Sequence, residues 1–266
     1  MRKLTVSIVA LGLLAGSLSA LADEEFDKLQ KEYEQAQQEW MEGIQKQVAE
    51  NPQKMIDMSI NPAAGFLPRF RKLAEAHAGK PEAIPALSWL VRNGMMGGAM
   101  LFGMSGGQSD AQWAFETLHK SHAADPAIKD AIGDGLRYAI MDQEKLREFC
   151  EQVRKVNPDE QAKGRATLLL AKSLYDGPLI KLPGFTVNEE KQKAHRHRAG
   201  ELFRSVLKDL GGTEQADEAG RYIYELDNLQ IGMKAPEFLG QDVAGKEIKL
   251  SQFKGQVVVL DFWGFW

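Results

Sequence analysis

Cys150 is the only cysteine of the chain and sits in the stretch LREFCEQV. A lone thiol cannot close an intramolecular disulfide, and nothing cationic is aimed at it to favour the thiolate. It therefore reads as a small buried apolar side chain beside Phe149. Met96, Met100 and Met104 fall on one helical face within GMMGGAMLFGMSGG, and thioethers so placed could hold Cu(I). Methionine is also a flexible core filler, and Gly97, Gly98 and Gly103 suit close helix packing, so packing is the expectation. The same glycines lack a preceding strand and a Gly-Lys-Ser/Thr ending, which excludes a phosphate cradle. His195 and His197, in KAHRHRAG, lie two apart and would point away from each other on a helix. With Lys193, Arg196 and Arg198 they read as a solvated basic turn. His77, His119 and His122 lack carboxylate or cysteine partners at ligand spacing. There is no Ser-His-Asp, paired-carboxylate or His-x-x-x-His arrangement, so neither a metal nor a cofactor is expected.

The elements that must carry these residues are helical. From 23 to 50, Phe26, Leu29, Tyr33, Ala36, Trp40, Ile44 and Val48 recur at steps of three or four, with Glu, Gln and Lys between them, and Asn51-Pro52 ends the run. A second stripe, Phe66, Phe70, Leu73 and Ala74, stops at Gly79-Lys80-Pro81. A third, Ile84, Leu87, Leu90 and Val91, closes at Asn93-Gly94. Three later openings share one grammar: ADPAIKDAI, VNPDEQAKG and GTEQADEAG put Asp125, Asn157 or Thr213 ahead of a polar first turn, two of them with Pro next. Pro126 and Pro158 stand about one helical-hairpin repeat apart. Residues 23–228 are thus expected to form a helical-hairpin, tetratricopeptide-like domain, although the signature Trp and Gly positions of such repeats are not clear. Stacked hairpins suit a protein partner.

Composition bounds the rest. At 266 residues, 44% apolar and 26% charged, the chain has the make-up of a soluble globular protein of one large or two ordinary domains. A net charge of −4 and a pI near 5.8 offer nucleic acid no basic footprint. At the N-terminus Arg2 and Lys3 precede the apolar stretch Leu4 to Leu14, small residues follow, and Ala20-Leu21-Ala22 fits a signal-peptidase site. Leu4 to Ala22 is nearly long enough to span a bilayer, but its small-residue tail favours cleavage. Residues 1–22 are read as a signal peptide cut after Ala22, giving an exported, periplasmic protein. The cut would take the net charge from −4 to −6 by removing two cations. No cysteine follows it to carry a lipid.

From 229 to 266 the helical period disappears. Glu237 to Gln241 reads as a short strand, Asp242 to Lys246 as a turn with Gly245 where φ must be positive, and EIKL as a half-buried strand. SQFKG is a short turn. QVVVLDF then reads as a strand buried on both faces.

These residues carry a resemblance. Gly232-x-x-Ala235-Pro236-x-Phe238, Asp242-x-x-Gly245-Lys246, Leu250-Ser251-x-Phe253-Lys254-Gly255 and Val257 to Trp263 follow in order and at fixed spacing. Together they resemble the opening of a thioredoxin-fold redoxin of the alkyl hydroperoxide reductase/thiol-specific antioxidant superfamily, closest to its exported thiol-disulfide oxidoreductases. The fold class expected is mainly α: the hairpin domain, then the first strands of a truncated thioredoxin-like α/β domain. In such enzymes Asp-Phe-Trp-x-x-Trp runs straight into Cys-x-x-Cys at a helix start, so the sequence reads as cut just before the nucleophile, short by about 100 residues on usual domain size. The resemblance implies that Asp261 is a buried proton acceptor beneath the cysteine pair, that Trp263 and Trp266 flank the pair, and that Gly232, Pro236, Gly245 and Gly255 shape the fold. Implied partners are protein dithiols or disulfides, or a membrane thiol reductant. The peroxidase branch carries Pro-x-x-x-Thr-x-x-Cys instead, and no Pro or Thr occurs between Phe262 and Trp266; peroxide reduction is the second expectation. A third is a catalytically dead remnant on a partner-binding scaffold. The 266 residues alone are expected to be inactive.

Overall fold

An amphipathic helix satisfies its own backbone and needs only a surface for its apolar stripe, and most of this chain takes that solution. The computed structural model describes residues 4–51, 61–94, 109–140, 142–176, 188–261 and 264, with side chains described from Ala22 onward. Its helices are α1 Leu4–Glu50, α2 Ala63–Ala76, α3 Ile84–Asn93, α4 Asp110–His122, α5 Asp134–Ala139, α6 Gln143–Val156, α7 Glu160–Asp176, α8 Glu189–Asp209 and α9 Glu214–Asn228. Short 3-10 turns occupy Pro81–Ala83, Pro126–Asp130 and Leu250–Phe253, and strands β1 and β2 are Leu239–Gln241 and Glu247–Lys249. The described protein is mainly α.

Successive helices pack on one another: α2 on α3, α3 on α4, α6 on α7, α7 on α8, and α8 on α9. Aromatic pairs fasten them. Phe70 of α2 stacks on Trp89 of α3 with centroids 3.8 Å apart, and Tyr33 of α1 meets the same indole edge-on at 4.9 Å. Phe115 of α4 meets Phe149 of α6 at 5.6 Å, and Phe203 of α8 stacks on Tyr222 of α9 at 4.6 Å. Helix α7 is buried almost all round and touches α5, α6, α8 and α9. It is the axle of the C-terminal half of the helical body.

The predicted stripes match α1, α2 and α3, with one limit. Leu29 and Tyr33 are buried, but Ala36, Trp40 and Ile44 are half-buried and Val48 is exposed, because α1 meets α2 around its earlier turns. Thr213 caps α9 as expected, accepting from the Ala216 N–H at 3.3 Å. The other two openings differ. Asp125 accepts from the Ala127 N–H, which tightens ADPAIKDAI into a 3-10 turn, and extended Gly133 breaks the run before α5. Helix α7 is capped by Asp159, whose Oδ1 accepts from the Ala162 N–H at 2.8 Å. Asn157 does other work: its Nδ2 donates to the Ala123 and Asp125 carbonyls at 2.9 and 2.8 Å, tying the two punctuation points together. KAHRHRAG is not a turn. Asn188 caps α8 through the Lys191 N–H at 2.9 Å, and Glu189 and Glu190 in the first turn carry the helix through both histidines.

The C-terminal segment forms one antiparallel hairpin with Leu239 opposite Lys249, Gly240 opposite Ile248 and Gln241 opposite Glu247. The predicted buried strand over Val257 to Leu260 does not form: these residues pair with no strand and are exposed. An extended run needs neighbours for its backbone groups and, when apolar on both sides, a layer on each face. Among the described residues β1 and β2 are the whole sheet, and neither is joined to this run.

Candidate functional site

The segment that carries the redoxin-like motif leaves α9 at a fixed point. Gln230 donates through Nε2 to the Glu225 carbonyl at 2.9 Å and to the Tyr175 hydroxyl at 3.4 Å, while Tyr175 donates to Glu225 Oε1 at 2.7 Å. Burial, and then the Glu225 carboxylate, raise the Tyr175 phenol above its ordinary range, which keeps it a donor. Gly232, at φ 89°, turns the chain, and half-buried Pro236 sets the approach to the hairpin.

The hairpin is built from local rules. Asp242 Oδ1 accepts from the Ala244 and Lys246 N–H groups at 2.8 and 2.9 Å, and Gly245 at φ 79° lets the chain return. At the open end, Glu237 Oε1 accepts from the Ser251 N–H at 3.0 Å, and the Leu250 N–H reaches the Phe238 carbonyl at 3.3 Å. The Ser251 side chain and N–H hold the Glu237 carboxyl below the usual carboxylate range. Gly255, at φ 86°, then redirects the chain into Val257 to Asp261. Exposure there alternates, 96%, 40%, 86% and 53% from Val257 to Leu260, with the two-residue period of an extended chain.

Asp261 is exposed, and no buried acid environment surrounds it among the described residues. The predicted flanking residues Trp263 and Trp266 lie outside the described residues, as do Met96, Met100 and Met104. Gly232, Gly245 and Gly255 take positive φ around the hairpin, and Pro236 lies in the irregular stretch that leads into β1.

The chain's own thiol is not available to this segment. Cys150 is fully buried in α6, in the core cluster with Leu146, Phe149 and Val153. Burial, helped by Glu151 and opposed by Arg154, pushes the thiol above its ordinary range, which disfavours the thiolate. Among the described residues no group of three or more His, Cys, Asp or Glu side chains could hold a metal ion.

Sequence reading missed one charged cluster in the helical body. Lys172 of α7, 5% exposed, is held by Asp134 of α5 at 2.5 Å and by Glu218 of α9. Burial alone would lower its pKa, but the two carboxylates leave it raised. Ile132, Arg165 and Gln215 help line the cleft beside it. On the same α5–α7 contact, buried Arg137 pairs with Asp176 at 2.6 Å. These partners are far apart in sequence, and no local pattern announces them.

No family profile matches the chain, and no solved structure matches it. Among curated proteins it is similar to the thiol-disulfide oxidoreductase ResA of Bacillus cereus (strain ATCC 10987 / NRS 248), 44% identical over 66 residues, 24% of this chain and 38% of the relative. The protein of that name from Bacillus anthracis is 42% identical over 66 residues with the same shares. That from Bacillus subtilis (strain 168) is 45% identical over 40 residues, 15% of this chain and 22% of the relative. The chain thus spans less than two fifths of the length of the curated relatives it matches.

Proposed function

We propose that residues 229–266 open a thioredoxin-like thiol-disulfide oxidoreductase domain of the alkyl hydroperoxide reductase/thiol-specific antioxidant type, carried on a tetratricopeptide-like helical body and working in the cell envelope after cleavage at Ala22. The observation that carries this reading is the similarity to proteins named thiol-disulfide oxidoreductase, at 44% identity. The burial of Cys150 supports it by removing the one internal candidate for the thiol chemistry. The cysteine pair would then lie downstream of Trp266.

The chemistry of such a pair follows from its position. A thiol at a helix N-terminus feels the positive end of the helix dipole and ionises readily. Its thiolate attacks one sulfur of a partner protein's disulfide, forming a mixed disulfide and expelling the partner's other sulfur as a thiolate. The second cysteine then attacks the mixed disulfide: the pair leaves oxidised by two electrons, and the partner leaves as a dithiol. Asp261 at the end of the Val257 to Leu260 run would take and return the proton of the resolving thiol once the surrounding sheet buries it. Trp263 and Trp266 would wall the pair.

Insulin-disulfide reduction tests the proposal. The 266-residue chain is expected to give no turnover, and Cys150→Ser is expected to change nothing. The chain extended by the coding sequence downstream of codon 266 is expected to turn over, with a mature N-terminus at Asp23 when exported. Turnover by the 266 residues that Cys150→Ser abolishes would overturn this reading, as would a downstream sequence without a cysteine pair.

A further inference from the structure

The helical body is built as two stacks. Helices α2, α3 and α4 pack in succession, and so do α6, α7, α8 and α9. Two short elements sit between the stacks: the Pro126–Asp130 turn, packed on α7 and α3, and α5, packed on α3 and α7. At the end of α4 this joint is held by a few hydrogen bonds. Asn157, just ahead of α7, donates to the Ala123 and Asp125 carbonyls at 2.9 and 2.8 Å. The Asp125 N–H reaches the His122 carbonyl at 2.9 Å, and Asp125 Oδ1 accepts from the Ala127 N–H at 3.0 Å.

His122, the last residue of α4, stands inside this joint and is 1% exposed. Its Nε2 is buried with no hydrogen-bond partner among the described residues. Its Nδ1 lies 4.0 Å from Asp125 Oδ2, close enough to feel the charge and too far for a hydrogen bond. A neutral imidazole can leave one nitrogen bare as an acceptor, whereas an imidazolium carries an N–H on both. Protonation would therefore put an unpaired donor and a charge into the core. The neighbouring groups do not compensate. Burial first, opposed by Asp125 alone, holds the imidazole below its ordinary range. From the turn, Lys129 is taken by Asp159 at 3.8 Å. From α7, Arg165 donates to the Lys129 carbonyl at 2.8 Å and lies 3.8 Å from Asp130. Helix α6 sets Phe149 against His119 of α4, keeps Cys150 buried, and pairs its Arg154 with Glu151 at 2.6 Å. From α3, the Arg92 stem lies over Gly135 of α5.

We propose that His122 makes this joint an acid-sensitive hinge: protonation of its ring opens the end of α4 and frees the α1–α4 stack to turn against the α6–α9 stack. A charged ring must reach water or close onto Asp125, and either movement displaces the turn that Asp125 caps and Asn157 ties. The sign follows from burial. The unfolded imidazole takes a proton near about pH 6.5, and the folded one resists it to a lower pH. The closed joint is thus fully stable above about pH 6.5 and weakens as the pH falls below it, until the ring is charged in both states. A stack that bends at one joint changes the surface it offers a partner. This inference concerns the helical body alone and stands whether or not the redox reading does.

The test is amide hydrogen exchange of the full chain between pH 7 and pH 5, corrected for the intrinsic pH dependence of exchange, with the His122 ring followed by NMR in the same samples. Protection at Asp125, Ala127 and Ile128 is expected to fall by up to about tenfold for each pH unit below about 6.5, while amides in the middle of α8 and α9 keep theirs. His122→Gln, with a neutral side chain, should abolish that slope. His197→Gln, at an exposed position of α8, should leave it unchanged. The His122 ring should titrate below its ordinary range. Where His122→Gln does not fold, the ring titration and the exchange pattern of the parent decide. A ring that titrates at or above about 6.5, a slope that survives His122→Gln, or equal loss of protection in every helix would overturn the proposal.

Discussion

The helical body and the C-terminal segment are both rich in apolar residues, yet they treat them in opposite ways. In the body Phe70, Trp89, Phe115, Phe149 and Phe203 are all buried, while after α9 Ile231, Val243, Val257 and Val259 stand in solvent. The difference lies in what each backbone requires. A helix closes its hydrogen bonds within itself, so each amphipathic stretch can dock as a finished piece. A strand borrows its hydrogen bonds from another strand, and a run apolar on both faces needs a layer on each side as well. The same hydrophobicity is therefore an asset at Trp89 and an unmet demand at Val259.

The largest expected effect tests that contrast directly. Trp89→Ala removes an indole stacked on Phe70 and edge-on to Tyr33, and should cost about 3–5 kcal/mol in urea unfolding. Val259→Ala should change the same transition by less than about 0.5 kcal/mol, as an exposed position does. A loss of comparable size at both positions would mean that the Val257 to Leu260 run is covered in solution, and the contrast would fail.

How much was legible divides along the same line. The stripes over Phe66 to Ala74 and Ile84 to Val91 and the Thr213 cap rest on neighbours three or four residues away, and they are where the sequence says. The turn glycine at 245 was legible for the same reason, since Asp242 to Lys246 closes on itself. What escaped was decided at long range. Asn157 looked like a cap, but carbonyls more than thirty positions back compete for its side chain. Nothing local marks Lys172, whose partners Asp134 and Glu218 come from α5 and α9. The Val257 to Leu260 run reads as a strand buried on both faces, yet it is exposed and unpaired, because no local rule supplies partner strands.

Cys150 sharpens the comparison from inside the body, at the second rank of effect. Burial raises the folded thiol above its ordinary range, whereas the unfolded thiol titrates near about 8.5. The folded state then keeps a proton that the unfolded state loses. The contribution of Cys150 is fully present below about pH 8.5 and declines above it by roughly 1.4 kcal/mol per pH unit. The stability difference between the parent and Cys150→Ala, followed from pH 7 to pH 10, should stay flat and then bend downward. In the native protein, thiol labelling should proceed no faster than opening of the helical body. A flat difference throughout, or labelling faster than opening, would show the thiol to be exposed and would return it to the list of candidate nucleophiles.

The smallest effect comes from the hairpin. Gly245 has φ 79°, and an alanine there pays a left-handed penalty of about 1–2 kcal/mol. That penalty should appear only locally. Amide exchange at Asp242 and Lys246, whose backbone groups close the turn at 2.9 Å, should accelerate, while the thermal midpoint of the helical body stays where it was. The reason is the narrow tie between the two regions: Gln230 holds the segment to Glu225 and Tyr175 by side-chain hydrogen bonds, and no described residue beyond α9 joins the core cluster. A midpoint that moves with Gly245→Ala would mean that strain crosses this tie, and the hairpin would have to be counted as part of the body rather than as an appendage to it.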